Sequence, residues 1–412
     1  MPVVTNSELV SAYAAQFNRS LLGRHGVASP LGLWLLLALV GPATEGATRR
    51  DLEGVLGTTV DDAATRATAL LSDPHPAVSA LAAVWDRKLG PAFDDWARTL
   101  PDVVERGPVP NQAQADAWAH DRTRGLIAEF PIQIDDLTRL VLASALAADI
   151  TWASPLDTTD DLGGEFGSMI ANALTLHFGT QLVAETAAAG VVAVAAPRSS
   201  SALDVLSVIA APGVAPADVD TAARQVAAML RGDERAARPV PIEELADGHA
   251  WTVTDRREQR FGGPSVRAEW RSHLPAWSAT SDHDLAAAPG VPSVFEALTG
   301  FARAEDLPVD FAAKQTAVAS YSQTGFKAAA VTAVAMVAGS MPSMPEKHEV
   351  LVRRIELRFN RSHAVLACAA QDEGPSAWRG VPVFSAWITE PEDTIVEPPR
   401  PVGPPQPVPV RY

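Results

Sequence analysis

The stretch that most constrains this chain is Gly325 to Ala338, reading G-F-K-A-A-A-V-T-A-V-A-M-V-A. From Ala328 to Ala338 there is no charge, no proline, no glycine and no large ring. Taken alone, such a run suits a buried helix, because Ala, Met and Lys are good helix formers. It also suits a strand that slides between two others, because small side chains at alternate positions fit a crowded sheet. The flanks favour the strand. Upstream, Asp310 to Thr324 alternates like a strand and ends at the glycine, and downstream Met341-Pro-Ser-Met-Pro345 marks a loop before the strand-like Ile355 to Leu366.

A strand, a glycine hinge, a small-residue run, a Pro-marked loop and a late strand resemble the reactive-centre region of the serpins. The family hinge reads E-E-G-T-E-A-A-A-A-T, and Gly325, Lys327, Ala328, Ala329, Ala330 and Thr332 fall into register with it, with Phe326 between the first two. The family strand F-N-A-D-H-P-F is matched by Phe359, Asn360 and His363. Further pieces follow in family order: Val27-Ala-Ser29-Pro30; Gly46-Ala-Thr48 through Leu56-Gly57; Ala115-Asp-Ala-Trp118 with Thr123, Gly125 and Ile127. Later come Leu140 to Leu146 with Trp152, Leu274-Pro-Ala-Trp277 with Asp284, Leu285 and Phe295, and Val383-Phe384 through Pro391.

The resemblance implies a mixed α/β serpin fold, about nine helices around three β-sheets, with an exposed reactive-centre loop at about residues 325–354. It implies one domain over residues 1–391 and a function as a suicide inhibitor of serine proteases, with no catalysis of its own. In that mechanism the protease cuts the loop as a substrate, and the loop inserts as a new strand in the large sheet before the acyl-enzyme can hydrolyse. Counting from the hinge glycine puts the scissile bond at Gly339-Ser340, with Met341 and Met344 as alternatives. The small, uncharged residues there point to an elastase-like or subtilisin-like target.

Three departures bear on that mechanism. Phe326 stands at the first inward position, where inhibitory members carry Thr or Ser, and overpacking a close-fitting site costs about 1–3 kcal/mol. Gln323 and Thr324 replace the acidic pair of the hinge. In the polar cluster that controls sheet opening, Ser29 is retained, Ser144 replaces an asparagine, Gly32 replaces a serine, and Ala313 beside Lys314 replaces a histidine. These leave a rival reading open: a non-inhibitory binding or scaffold protein of the same fold whose loop is cut without trapping the protease.

Other function classes find little support. G-x-S-x-G, the phosphate-binding G-x-x-x-x-G-K-[ST] and H-E-x-x-H are all missing from the sequence, so no catalytic, cofactor or metal site is expected. Gly163-Gly-Glu-Phe-Gly167 reads as a loop. The net charge is −16, with arginines and lysines thinly spread, so nucleic acid and polyanionic cofactors are not expected partners. The longest apolar run, Leu31 to Val40, is too short for a membrane span. The single cysteine, Cys368, reads as a buried core residue, and with an N-terminus that carries no signal-like stretch it suggests a cytoplasmic protein. Residues 392–412 hold seven prolines and are expected to form a disordered tail.

Overall fold

The run Leu31 to Val40 forms a helix that is apolar on every side, and Leu36 is the one residue of the run not fully buried. Pro30 opens it at a position where no N–H is needed. The computed structural model describes residues 4–21, 23–87, 89–148, 150–200, 202–261, 266–304, 312–326, 347–370 and 376–394. The predicted reactive bond, Gly339-Ser340 with Met341 and Met344, lies outside them, as do Lys327, Ala328, Ala329, Ala330 and Thr332 of the hinge.

The first part of the chain is mainly helical: α1 (Asn6–Leu21), β1 (Gly26–Ala28), α2 (Pro30–Val40), α3 (Gly46–Leu56), α4 (Val60–Ser72) and β2 (Val78–Asp86). Gly57, left-handed at φ 76°, ends α3, and the Thr59 side chain caps α4. Then come α5 (Pro91–Thr99), β3 (Glu105–Pro108) and α6 (Gln112–Arg122), the last started by a reciprocal capping box between Asn111 and Gln114. The middle runs through β4 (Leu140–Ala148), β5 (Ile150–Thr151), β6 (Asp157–Thr159), α7 (Gly164–Gly167), β7 (Ala173–Leu176), β8 (Gly179–Thr186), β9 (Gly190–Pro197) and β10 (Leu203–Ile209). The remainder is α8 (Pro216–Leu230), β11 (Ala237–Pro239), β12 (Trp251–Phe261), β13 (Val266–Leu274), β14 (Trp277–Asp284), α9 (Val291–Ala304), β15 (Lys314–Tyr321), β16 (Gly325–Phe326), β17 (Lys347–Arg358), β18 (His363–Ala369) and β19 (Pro382–Ile388).

The loop region is shorter than expected, because residues 347–354 belong to β17, which pairs with β12 along its length and with β13 from Leu351 to Arg358. The run Ile355 to Leu366 is likewise two strands, broken at 359–362. Gly164–Gly167 is a single helical turn rather than a loop, held by Phe166 donating its N–H to Asn360 O at 2.9 Å.

A seven-stranded sheet in the order β1-β19-β18-β10-β9-β8-β11 carries the core. Its strands β18 and β19 are buried at every residue, so they read as continuous apolar runs. α8 covers one face through Val219, Ala223 and Val226, and α1 and α2 lie against the other. A five-stranded sheet follows the order β12-β17-β13-β7-β6.

The largest expected sheet is divided. One part is β3-β2-β4, covered by α6 through Trp118 and Ala119 packed on Trp85, Val141 and Ala143. The other is β14-β15-β16-β5. Among the described residues, β4 and β15 form no ladder with each other. Among the described residues the expected three sheets are therefore four, and the extra division marks the candidate site.

The ordered body also runs past the expected boundary at 391. Asp393 accepts hydrogen bonds from the N–H groups of Ala171 and Asn172 at 2.7 and 2.8 Å, and Thr394 is buried. Residues 395–412 lie outside the described residues.

Candidate functional site: a split sheet at the loop root

β15 alternates as a half-buried strand should, with Ala317, Ala319 and Tyr321 turned into the core. After Tyr321 the chain reverses through Ser322, Gln323 and Thr324. Ser322 donates its N–H to Gly325 O at 2.8 Å, closing the turn. The turn is stitched to the segment after β5: Trp152 N–H donates to Thr324 O at 3.0 Å, and Leu156 N–H donates to Gln323 O at 2.8 Å. The Trp152 indole also donates to Ser322 O at 3.0 Å. Gln323 and Thr324 thus act through their backbone carbonyls, which any residue supplies, and the missing acidic pair costs no hydrogen bond here.

Gly325 and Phe326 then lie between two strands. Phe326 is opposite Tyr321 on one side and Ile150 on the other, antiparallel to both. A methyl group on Gly325 would overlap Ile150 O and stand 3.2 Å from Ile150 C and 3.3 Å from Thr151 Cα. Close backbone approach is what requires glycine at this hinge. The Phe326 side chain is 2% exposed and meets Trp277 edge-on at 6.0 Å. Tyr321 stacks on Trp277 at 6.2 Å and tilts against Trp152 at 5.1 Å. The expectation that Phe326 overpacks its position is corrected: an aromatic nest is built around it, and the ring is already seated there.

Beyond Phe326 the two strand edges stay apart. β5 follows β4 in the chain, so the Gly325-Phe326 pair occupies the end of the gap that separates β4 from β15. The gap continues as a narrow hollow of about 60 Å³, with Leu142 and Ser144 on one bank, Gln315 on the other, Leu33 beneath and Phe130 above. Leu142, Ser144 and Leu146 are all partly exposed, although their face of β4 turns toward α2.

The polar cluster sits at this gap, with one change of member. Ser29 N–H donates to Gln315 Oε1, and Gln315 Nε2 donates back to Ser29 O, both at 2.9 Å. The Ser29 hydroxyl donates to Val383 O at 2.8 Å. A Cβ on Gly32 would lie 3.1 Å from Ser144 Oγ and 3.7 Å from Gln315 Nε2, so Ser144, Gly32 and Gln315 converge. Lys314 is exposed. Gln315 is therefore the β15 member of the cluster in place of Lys314, and it ties that strand to the start of α2.

No family model matches the chain. It is 30% identical to a putative serpin-Z12 of Oryza sativa subsp. japonica over 174 residues, 38% of this chain and 41% of that protein. It is 31% identical to serpin-ZXA of the same organism over 165 residues, 35% of this chain and 42% of that one. The matched part thus spans about two fifths of each of these curated relatives. Among solved structures, thyroxine-binding globulin with thyroxine superposes with TM-score 0.59 at 14% identity, covering 93% of this chain and 99% of that one. The thermophilic serpin tengpin superposes in its native state with TM-score 0.60 at 12% identity, covering 93% and 94%. Its latent state gives 0.63 at 11%, covering 95% and 100%.

The chain is a divergent serpin-fold protein.

Within that fold the remaining sequence features find structural places. His363 is 1% exposed, packed between Phe166 and Phe359, with Nδ1 2.9 Å from Arg361 O. Burial, the largest influence, lowers its pKa to about 4. Trp118 is partly buried, edge-on to Trp85 at 5.0 Å, with its indole donating to Glu105 Oε2 at 3.1 Å. Cys368 is 1% exposed, and burial pushes its thiol up to about 12, which suits an inert core residue. Sequence reading missed Gln315 and the Trp152, Tyr321 and Trp277 nest. Its only signal for Gln315 was a polar residue two places before the small inward-facing Ala317.

Proposed function

We propose that this protein is a serpin-type suicide inhibitor of serine proteases, itself not a catalyst, with residues 327–346 as the bait loop. The observation that carries the reading is the division of the large sheet, with Gly325 and Phe326 already paired to both sides at its end. If the loop inserts in the antiparallel register of Gly325 and Phe326, Ala328 would lie between Ala148 and Ala319, and Ala330 between Leu146 and Ala317. In that inserted register Thr332 would lie between Ser144 and Gln315, where its hydroxyl would join the polar cluster. Small residues would then meet the crowded positions and the one hydroxyl the polar ones. Strand addition then satisfies two open edges at once.

Chemically, the protease serine Oγ attacks the Gly339 carbonyl carbon. The Gly339–Ser340 bond breaks, Ser340 leaves as a new amine, and Gly339 is held as an ester on the protease. Fourteen residues at ~3.3 Å each give roughly 46 Å of travel for the ester if the strand inserts fully. Inhibition is a race between that insertion and hydrolysis of the ester. The small residues at the bond support an elastase-like or subtilisin-like target, and the single buried cysteine supports action in a reducing compartment such as the cytoplasm.

The test is incubation with elastase and with subtilisin, followed by denaturing electrophoresis. A band at the summed mass that disappears in an Ala330→Arg variant supports insertion-driven trapping, because in the inserted register Ala330 would face the core. Complete loop cleavage with no covalent band overturns it in favour of a non-inhibitory role.

A further inference from the structure

Two adjoining hollows of about 370 and 530 Å³ meet at the turn His177-Phe178-Gly179 between β7 and β8. One of them borders the segment that holds the turn before Gly325. The wall at Ser154 and Pro155 lies between Trp152 and Leu156, whose N–H groups hold the turn before Gly325. The opposite wall includes Arg354 on β17, the strand that leads away from the loop.

Its charge runs against that of the molecule. The chain carries −16 overall, yet Arg198, Arg267, Arg271 and Arg354 converge here. Arg267 and Arg354 share one carboxylate, Glu269, at 3.9 and 3.4 Å. Asp157 is engaged by His177 at 3.2 Å. Among the described residues Arg198 and Arg271 have no ion-pair partner. The floor holds Thr175, 5% exposed, whose hydroxyl has no hydrogen-bond partner. Phe178 stands at the junction 81% exposed. Along this side, among the described residues, β13 also offers an open edge: β7 pairs with it over Ser272–Leu274, and residues 267–271 pair with β17 alone.

We propose that this groove is an exosite for an acidic, extended segment on the surface of the protease that attacks the loop. This partner assignment rests on the inhibitor reading above. Arginine forks match carboxylates in two-point contacts. An exposed ring among arginines is the composition of an interface centre, and an open edge gives backbone pairing to an extended chain. A short acidic segment feels this local field, whereas a long polyanion meets the repulsion of the whole acidic molecule. The four arginines come from three separate segments, which is why no stripe appears in the sequence.

The test uses the intact protein and a fluorescent oligoglutamate peptide, read by anisotropy at about 0.01 M and about 0.15 M salt. Binding that weakens with salt, falls roughly tenfold in an Arg198→Glu/Arg271→Glu variant and falls in Phe178→Ala supports the exosite. All three positions are partly or fully exposed, so an unchanged thermal melt separates loss of binding from loss of fold. No binding, or binding indifferent to these changes, overturns it. Tighter binding of dextran sulfate through the same arginines overturns the choice of a protein partner. Peptide binding is read without any protease, so its failure leaves covalent trapping standing, and a failure of trapping leaves the peptide result standing.

Discussion

Gly325→Ala isolates the hinge. The added methyl group overlaps Ile150 O and crowds two further backbone atoms, Ile150 C and Thr151 Cα, at 3.2 and 3.3 Å. None of these can rotate away as a side chain could. The least costly response is for Gly325 and Phe326 to leave β5. That exposes the Phe326 ring, worth about 1.5–3 kcal/mol, and gives up two or so backbone hydrogen bonds at about 1 kcal/mol each. The local opening equilibrium should therefore shift by about 3–5 kcal/mol, roughly a hundred- to a few-thousandfold. Native-state hydrogen exchange reads this directly. The amides of Trp152 and Leu156, which donate to Thr324 and Gln323, should lose protection by that factor, while those of β18 and β19 stay unchanged. Equal protection of Trp152 in the variant and the parent would refute the claim that backbone crowding fixes this glycine.

Gln315→Ala should lower the melting temperature by a few degrees, because it strips two hydrogen bonds from Ser29 at a cost of about 1–3 kcal/mol; Lys314→Ala, at an exposed position, should leave it unchanged. Stability should fall on acidification from pH 6.5 toward 4. His273 and His363 are held neutral by burial with folded values lowered to about 4, so the unfolded chain takes up protons first; each contributes on the order of 3 kcal/mol, present above pH 6.5 and lost as pH falls. The denaturant midpoint at pH 4.5 and 7 checks this, and His363→Gln should flatten part of the slope. Cys368 should resist thiol reagents in the native protein and react once it is unfolded, as a colorimetric thiol titration with and without denaturant would show.

The need for glycine at 325 was legible because its signal is local. A glycine, a small-residue run and a following Pro-marked loop sit in one stretch of sequence, and Gly325 falls where the backbones touch. The polar cluster at the gap was only half legible. Ser29 and Ser144 follow from motif position, but the choice between Lys314 and Gln315 depends on strand register, and a slip of one residue turns a side chain to the opposite face. The nest for Phe326 was hidden because Trp152, Trp277 and Tyr321 are far apart in sequence and meet only when β5, β14 and β15 converge. Reading Phe326 against family habit alone made it an obstacle; its surroundings make it an anchor. The arginine groove was hidden in the same way, and more deeply, because thinly spread charge along the chain says nothing about which strands end together.

The claim on which all of this turns is that the gap between β4 and β15 accepts the loop as a strand. Thermal melting before and after a single cut within residues 327–346 tests it most directly. Insertion pairs both open edges and buries the small-residue face of the loop, so the cut protein should melt tens of degrees higher than the intact one. A cut protein that melts at the same temperature as the intact one, or lower, would contradict the account.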